Sequence, residues 1–400
     1  MHLIVLELEP TSFRGGQEIV LFDICRSLAQ RGHIISLLYT KEGNLLEQYQ
    51  NFCTHVVKVN LFTIYPPQNT LHFLVDIWNI NKKISTTKNS IVLSNQYQDT
   101  FFARALALVK NIPLVCYLHL PPQEKLIKFE DIKQYTRDIY IRWQWHLGMK
   151  GVNQFIAVSN QTKSDWLNKG YQENKIDVVY NGIDLEVYKP TINFSLIRKT
   201  WHISEDIRVI SYVGRLDKEK GLETLIKAFA LLLKACTKTK LLIAGKSLFH
   251  GEEYKKYLEQ LSTDLGIENY VEFLGHLTNP IGLYQVSDLT VLPSLWSEPF
   301  PRSIIESMAC GTPVVASNTG GIPESLTGEF KHGLFPPGNE QDLSDTLNHL
   351  MNWRDKDSHL GERCRQHILS KFSINKMVDG VEKISTSTLI KQFKIKNGNS

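Results

Sequence analysis

Two glutamates, Glu298 and Glu306, lie eight positions apart in the stretch WSEPFPRSIIESMACGTPVVAS, which covers residues 296–317. Pro301 suits the first turn of a helix, and the backbone N–H groups of a first turn have no partner inside the helix. A phosphate binds readily at such a helix start. Carboxylates beside a phosphate would repel it, but they can accept hydrogen bonds from hydroxyl groups. The two acids therefore suggest a nucleotide-sugar, with one sugar on each side of a diphosphate.

A second interpretation of the same stretch needs no ligand. Glu298 would be an exposed loop acid, and Arg302 and Glu306 would form an i,i+4 ion pair in its less favourable orientation. The first interpretation instead leaves the N–H groups of Arg302, Ser303 and Ile304 to a phosphate.

Two cations follow another apolar run, in the stretch YVGRLDKEKGLETLIKAF (212–229). Arg215 and Lys220 flank a helix start directly after a predicted strand. Their charges, and the forked donors of arginine, suit a diphosphate. The alternative is a pair of exposed basic residues.

Two weaker signals lie in the first half of the chain. Gly15 and Gly16 open a helix in EPTSFRGGQE, where glycine lets the backbone approach an anion; a plain turn is the alternative. His119 in YLHLPP follows an apolar run, although a lone histidine is more often structural.

These residues need a scaffold of parallel strands, because each stretch follows a short apolar run. Strands that alternate with helices predict a doubly wound α/β sheet. The pattern restarts after the turn-rich stretch 181–190. We therefore expect two Rossmann-like domains, 1–188 and 189–372, facing a cleft, and a C-terminal helix over 373–396 that packs back on the first domain. The apolar runs are 2–8, 33–39, 55–59, 90–93, 113–118, 154–158 and 176–180 in the first domain, and 208–214, 240–245, 270–275, 288–293 and 312–317 in the second.

Composition excludes several classes of protein. A net charge of +4 on 400 residues is too small to indicate nucleic-acid binding. The six cysteines have no CxxC spacing, which favours reduced thiols in a cytoplasmic protein over zinc or disulfides. The N-terminus resembles a first strand rather than a signal peptide, and no run of 18 apolar residues predicts a membrane helix. The acids of DKD at 355–357 lie in a polar stretch after the last predicted strand and are expected on the surface.

Together these stretches resemble the retaining glycosyltransferases of family 4, the group-1 glycosyl transferases, which have the GT-B fold. The resemblance covers essentially the whole chain and is strongest over 205–340. Its specific part is Glu-x7-Glu at 298–306, followed by ACGTPVVAS and by GGIPE (320–324). GRLDKEKG and VVYNGIDLEVYKP reinforce it.

The resemblance implies catalytic roles for Arg215, Lys220, Glu298 and His119. Glu298 would hold hydroxyls of the donor sugar and His119 would contact that sugar. Arg215 and Lys220 would neutralise the diphosphate and the leaving group, and Glu306 would hold the ribose. Further donor-binding positions are Gly15, Gly16, Gly214, Phe300, Pro301, Arg302, Ser303, Ile304, Leu274 and His276, with Gly16 against the phosphate and the base near 274–277. Pro301 departs from the glycine of many members and removes one possible backbone donor.

The resemblance also implies a reaction. A hexose would move from a UDP-, GDP- or ADP-sugar to a hydroxyl on a glycan, a lipid-linked glycan or a small glycoside, with retention and without a metal or another cofactor. A nucleotide-sugar epimerase of the same fold and a non-catalytic nucleotide-sugar-binding subunit are the alternatives.

The segment 125–150 suggests a partner of another kind. Six basic residues and three acids give it a local charge of +3, and aromatic residues are interleaved with them. Such a segment suits peripheral contact with anionic lipid on the inner face of a membrane. The alternative is a helix that packs on the first domain with its tryptophans in the core.

Overall fold

The computed structural model describes residues 1–122, 132–191, 193–247 and 251–398. The chain forms two compact units, of which the first comprises Met1–Tyr180 with Asn375–Ser400 and the second Asn181–Ile374. The chain passes from the first unit to the second between Tyr180 and Asn181. The sequence had suggested a later boundary, at residue 188. The chain joins the second unit early because Ile183 forms a parallel bridge with Ser373.

The first unit contains a seven-stranded parallel sheet. Its strands are β1 (His2–Glu7), β2 (Ile34–Tyr39), β3 (His55–Lys58), β4 (Ser90–Ser94), β5 (Leu114–Leu118), β6 (Gln154–Ala157) and β7 (Ile176–Val178). The order is β3-β2-β1-β4-β5-β6-β7. The central strands are buried on both faces, which explains their continuous apolar runs. The order reverses between β1 and β4, and ligands of open α/β sheets bind at the carboxyl ends of strands at such a point.

In the described part of the first unit, six helices connect these strands. They are α1 (Gly16–Gln30), α2 (Leu46–Gln50), α3 (Thr70–Lys83), α4 (Thr100–Lys110), α5 (Ile132–Lys150) and α6 (Asn160–Leu167). α1 buries its apolar face and ends before Gly32, which has a φ of 84°. This is the helix and the stop signal that the sequence predicted.

The second unit contains a six-stranded parallel sheet. Its strands are β8 (Arg208–Val213), β9 (Thr239–Ala244), β10 (Val271–Gly275), β11 (Leu289–Leu292), β12 (Val314–Ser317) and β13 (Leu334–Phe335). Their order is β10-β9-β8-β11-β12-β13, so the reversal falls between β8 and β11. All twelve apolar runs form strands, with ends shifted by at most two residues. Among the strands of the described residues, β13 was not predicted, because two residues carry no periodicity.

The described part of the second unit contains nine α-helices. They are α7 (Phe194–Thr200), α8 (Leu222–Leu233), α9 (Gly251–Asp264), α10 (Ile281–Val286), α11 (Arg302–Ala309), α12 (Ile322–Ser325), α13 (Glu340–Leu350), α14 (Trp353–Lys356) and α15 (Leu360–Lys371). α10, α11 and α13 contact strands of the sheet. α11 is the helix on which Glu306 lies.

The last helix, α16 (Ile374–Gly398), returns to the first unit. Arg31 Nη1 lies 2.7 Å from Asp379 Oδ1 and 2.8 Å from Glu382 Oε2. His33 Nε2 lies 2.8 Å from Glu382 Oε1. These contacts tie α16 to the end of α1.

Helix α5 contains the described part of the segment 125–150, for which the sequence suggested either membrane contact or packing on the first domain. In α5, Tyr140 and Trp145 pack against the core of the first unit, whereas Trp143 is exposed. The aromatic residues therefore divide between core and surface. No helix within the described ranges is both long and apolar enough to cross a bilayer. Lys125, Lys128, Phe129, Glu130 and Asp131 lie outside the described residues.

Candidate functional site

The switch point of the second sheet brings Lys220 and Glu298 into contact. Lys220 follows β8 and Glu298 follows β11; Lys220 Nζ lies 2.5 Å from Glu298 Oε1. Ser294 Oγ donates to the same oxygen at 2.6 Å. The two charged side chains are only 11% and 7% exposed. Glu298 Oε2 makes no hydrogen bond to the described residues, so this oxygen is available to a ligand hydroxyl.

Close backbone packing holds the two loops of this contact together. Gly221 has a φ of 70°, and a Cβ there would lie 2.0 Å from the carbonyl oxygen of Pro293. The Leu295 N–H donates to the Glu219 carbonyl at 2.9 Å. Only glycine fits at position 221, and the loop after β8 therefore lies against the loop after β11.

Two further glycines, Gly320 and Gly321, pack against the backbone of Glu298. Gly320 has a φ of 58°, and a Cβ there would lie 2.3 Å from the Glu298 carbonyl oxygen. The Gly321 N–H donates to that oxygen at 2.7 Å. The GGIPE stretch thus fixes the backbone of the acid.

Arg215 follows Gly214 and is held within its own loop. Its guanidinium donates to Asp217 Oδ2 at 2.6 Å and to Glu219 Oε1 at 2.9 Å. Its side chain is 25% exposed. The alternative of two exposed cations is therefore wrong, because Lys220 is buried and Arg215 is mostly covered.

Glu306 is anchored inside the second unit. Tyr284 Oη donates to Glu306 Oε2 at 3.0 Å, and Arg302 Nε donates to Oε1 at 3.1 Å. The ion pair of the second interpretation thus forms. Its other half is wrong, because Glu298 is 5% exposed rather than a surface acid. Burial and the neighbouring carboxylate raise the pKa of Tyr284 well above its ordinary value.

The start of α11 has no side-chain cap. Pro301 precedes the helix as its N-cap. The Phe300 ring packs on Phe372 with centroids 5.2 Å apart, and Ile304 is fully buried. Ser303 is partly buried.

Asn181 supports this helix start and was not predicted as a site residue. Its Nδ2 donates to the Phe300 carbonyl at 3.0 Å, while its buried Oδ1 has no partner among the described residues. The stretch NGIDLEVYKP was assigned to a domain boundary and to the family resemblance, without a role at the site. A polar residue directly after a predicted strand was the available signal.

Two further expected positions lie at the carboxyl end of β10. Leu274 packs against an apolar cluster of the second unit. His276 is exposed, and partial desolvation and the Lys246 cation lower its pKa. β10 is an edge strand two positions from β8 at the same end of the sheet.

In the first unit, three residues from the ends of β1, β4 and β5 form a buried chain. His119 Nε2 lies 2.8 Å from Asn95 Oδ1, and Asn95 Nδ2 donates to Glu7 Oε2 at 2.7 Å. All three are nearly inaccessible. The His119 ring also stacks on Tyr117, with centroids 4.5 Å apart.

The hydrogen bonds among His119, Asn95 and Glu7 determine the tautomer of His119. Because Asn95 donates through Nδ2 to Glu7, its Oδ1 is the atom that faces the histidine. His119 Nε2 must then carry the proton, and Nδ1 is left as an acceptor for a hydroxyl group. Burial lowers the pKa of His119 to about 3, so the ring is neutral. Burial and the Glu18 and Asp99 carboxylates raise the pKa of Glu7.

The glycines at the start of α1 lie beside a buried acid. Gly15 is the N-cap and Gly16 the first helical residue. A Cβ at Gly15 would meet only Glu18 Oε2, at an ordinary 3.7 Å, so the protein itself does not require glycine there. Glu18 Oε2 is buried without a hydrogen-bond partner among the described residues. Sequence reasoning missed Glu7, Asn95 and Glu18, although Glu7 and Asn95 lie at strand ends.

The acids of the DKD stretch bind arginines. Asp355 forms an ion pair with Arg208, and Asp357 accepts from Arg363 at 2.6 Å. Among the described residues, no cluster of three or more histidine, cysteine or acidic side chains could hold a metal ion.

Two family models match the chain. The model for glycosyl transferases group 1 matches residues 193–367, and the model for glycosyltransferase family 4 matches residues 14–187. Together they account for most of both structural units. The second-unit site residues from Arg215 to Glu306 lie within the group 1 match.

Known proteins resemble the chain over nearly its full length. An uncharacterized glycosyltransferase of Methanocaldococcus jannaschii, MJ1607, is 26% identical over 91% of this chain and 92% of that protein. The N-acetyl-alpha-D-glucosaminyl L-malate synthase of Bacillus anthracis is 26% identical, with 92% and 93% covered. The crystal structure of Anabaena Alr3699/HepE with UDP and glucose superposes with a TM-score of 0.78 at 23% identity, covering 97% of this chain and all of that one. The last likeness shows the fold, which is GT-B.

Proposed function

The chain belongs to the group 1 glycosyl transferases of family 4, and on this premise we propose that it is a retaining, metal-independent hexosyltransferase. It is a glycosyltransferase that uses a nucleotide-sugar. The proposed acceptor is a hydroxyl on a glycan, a lipid-linked glycan or a small glycoside.

One observation carries the proposal: the buried Lys220–Glu298 pair at the switch point of the second sheet. Glu298 Oε1 is used by Lys220 and Ser294, which leaves Oε2 for a sugar hydroxyl. Lys220 Nζ has donors beyond the one that Glu298 accepts, and they suit phosphate oxygens. A single pair thus has one atom for the sugar and one for the diphosphate.

The proposed reaction breaks the bond between C1 of the sugar and the β-phosphate oxygen. The sugar passes through an oxocarbenium-like state, and the electron pair of the bond moves to the diphosphate. Lys220, Arg215 and the backbone at the start of α11 stabilise that charge. The acceptor hydroxyl attacks the face from which the diphosphate departs, and a phosphate oxygen takes its proton. This sequence retains the anomeric configuration and needs no protein base.

The remaining residues are assigned to binding. Glu306, held by Tyr284 and Arg302, has carboxylate oxygens for the ribose hydroxyls. His119 Nδ1 would accept a hydrogen bond from a hydroxyl of the donor sugar. We assign the acceptor to the first unit.

A donor panel tests this proposal. UDP-, GDP- and ADP-hexoses are screened by saturation-transfer NMR and then followed for release of nucleoside diphosphate. UDP-glucose is the first candidate, since Anabaena HepE has been crystallised with it. Slow donor hydrolysis with retention is expected without an acceptor. Interconversion of free nucleotide-sugars would instead identify an epimerase, and binding without turnover under any acceptor would identify a non-catalytic subunit.

We predict that activity persists in excess EDTA. Lys220 and Arg215 supply the positive charge that a divalent ion would otherwise supply to the diphosphate. Initial rates are compared in EDTA and in added Mg²⁺ or Mn²⁺. Full loss in EDTA with recovery in Mn²⁺ would contradict the metal-independent mechanism.

A further inference from the structure

Helix α3 has apolar residues on two opposite faces. Phe73, Ile77 and Ile80 are buried in the core of the first unit. The opposite face carries Leu71, Leu74, Val75 and Trp78, which are between 43% and 69% exposed. Their i, i+3, i+4, i+7 spacing aligns them in one stripe. A surface helix that packs on a core with one face normally has a polar outer face, so this apolar stripe needs a partner.

The exposed charged side chains of α3 have one sign. Lys82 lies on the same face one turn after Trp78, with its Nζ 3.6 Å from the centre of the indole ring, and Lys83 follows. Both lysines are exposed. The one acid of α3, Asp76, is buried and accepts from the Asn60 backbone at 2.7 Å. The outer face of α3 is therefore apolar and positive, with no exposed carboxylate.

Neighbouring helices extend the same kind of surface. The described part of the first unit has twelve exposed large apolar side chains, and nine of them lie between residues 65 and 143. α3 packs on α4, and α4 packs on α5. Leu108 and Val109 at the end of α4 and Trp143 on α5 are among the nine. Three helices that contact one another in sequence order thus each carry exposed apolar side chains.

We propose that the stripe Leu71–Leu74–Val75–Trp78 on α3 docks the enzyme on an anionic lipid bilayer. α3 would lie parallel to the membrane, with its apolar side chains and indole among the acyl chain ends and headgroups and its lysines at the phosphates. Lysines near an anionic surface strengthen binding, and the strengthening falls off within a Debye length. A second copy of the chain fits less well, because a symmetric contact would bring two positive stripes together.

Vesicle co-sedimentation of the full-length protein tests the proposal. The vesicles are phosphatidylcholine alone or with about 30% phosphatidylglycerol, the anionic fraction that gives a substantial surface potential. Wild-type protein should bind the anionic vesicles at low salt and release as salt shortens the Debye length. The double variant Leu74→Gln/Trp78→Ser should bind at least about tenfold more weakly, since it loses most of the inserted apolar surface. Lys82→Gln/Lys83→Gln should lose roughly tenfold and most of the salt dependence.

Leu369→Gln is the matched control. Leu369 is 46% exposed on α15 in the second unit, so its replacement removes one exposed leucine side chain, as Leu74→Gln does, but away from α3. It should bind like wild type, and all variants should keep wild-type melting temperature and donor hydrolysis in solution. Failure of wild type to bind anionic vesicles, or equal binding by the α3 variants, would overturn the proposal. So would a wild-type dimer in light scattering that the α3 variant abolishes, since a second copy would then cover the stripe.

Discussion

At the scale of single residues, the central feature is the buried Lys220–Glu298 pair. We predict that Lys220→Ala lowers kcat by roughly 10²–10³, the usual effect of removing one group that stabilises transition-state charge. Because Glu298 would be left buried without its cation, the variant should also lose about 3 kcal/mol of stability. The value of kcat is measured from steady-state rates, and the stability of the same protein is measured by urea unfolding.

The double variant Lys220→Met/Glu298→Gln separates these two effects. It removes both charges and leaves no buried carboxylate unpaired, so its stability should recover while its activity stays low. Wild-type turnover in Lys220→Ala would remove Lys220 from the mechanism.

His119 should make the stability of the first unit depend on pH. Burial lowers its folded pKa to about 3 from 6.5, so below pH 6.5 the unfolded chain binds a proton that the folded chain does not. The stability that neutral His119 permits is present above pH 6.5 and is lost as the pH falls towards 3. His119→Gln keeps a donor for Asn95 but does not titrate. We predict that stability falls less steeply in the variant than in wild type over this range.

The measurement is urea unfolding at several pH values, followed through probes in the first unit. Because the other titrating groups are the same in both proteins, their contributions to the pH dependence of the unfolding free energy cancel in the comparison. Identical slopes for the two proteins would show that His119 is not held neutral by burial.

At the scale of elements, the glycines beside Glu298 determine where that acid lies. In Gly320→Ala a methyl group would lie 2.3 Å from the Glu298 carbonyl oxygen, so the backbone of the acid must shift. A shift of that kind can lower activity by roughly 10²-fold. We therefore predict a large fall in kcat/KM for Gly320→Ala, measured with the best donor of the panel.

Gly328→Ala is the control for backbone strain. Gly328 has a φ of 66°, close to the 58° of Gly320, but a Cβ there meets nothing within 4 Å. Both variants should lose about 1–2 kcal/mol from the left-handed conformation, and only Gly320→Ala should lose activity. Equal activity in the two variants would show that Glu298 tolerates the displacement.

At the scale of the whole molecule, α16 follows the second unit in sequence but packs with the first. Its buried residues Met377, Val378 and Val381 and its ion pairs with Arg31 stabilise the first unit. We predict that removing residues 375–400 lowers the protection of backbone amides in α1 and in the first sheet. Protection of β8 to β12 should be unchanged. Hydrogen exchange with mass spectrometry measures both, and a uniform loss across the chain would contradict this division.

The sequence by itself predicted twelve of the thirteen described strands and the two-unit organisation of the fold. It also singled out Glu298, Lys220 and Arg215 as candidates for the second-unit site. Buried parallel strands have long apolar runs, and ligand-binding residues follow them at the carboxyl ends, so both signals are local. Glu298, Lys220 and Arg215 could be found this way. The resemblance to family 4 rests on the same local stretches.

Only the tertiary structure decided which of these residues meet. Lys220 and Glu298 are far apart in the chain, and their contact depends on β8 lying beside β11. The chain from His119 through Asn95 to Glu7 likewise depends on the order of β1, β4 and β5. The stripe on α3 was missed for a related reason: an apolar residue is visible in sequence, but whether another element covers it depends on packing. Strand order and burial are set by contacts between distant segments, which local periodicity does not encode.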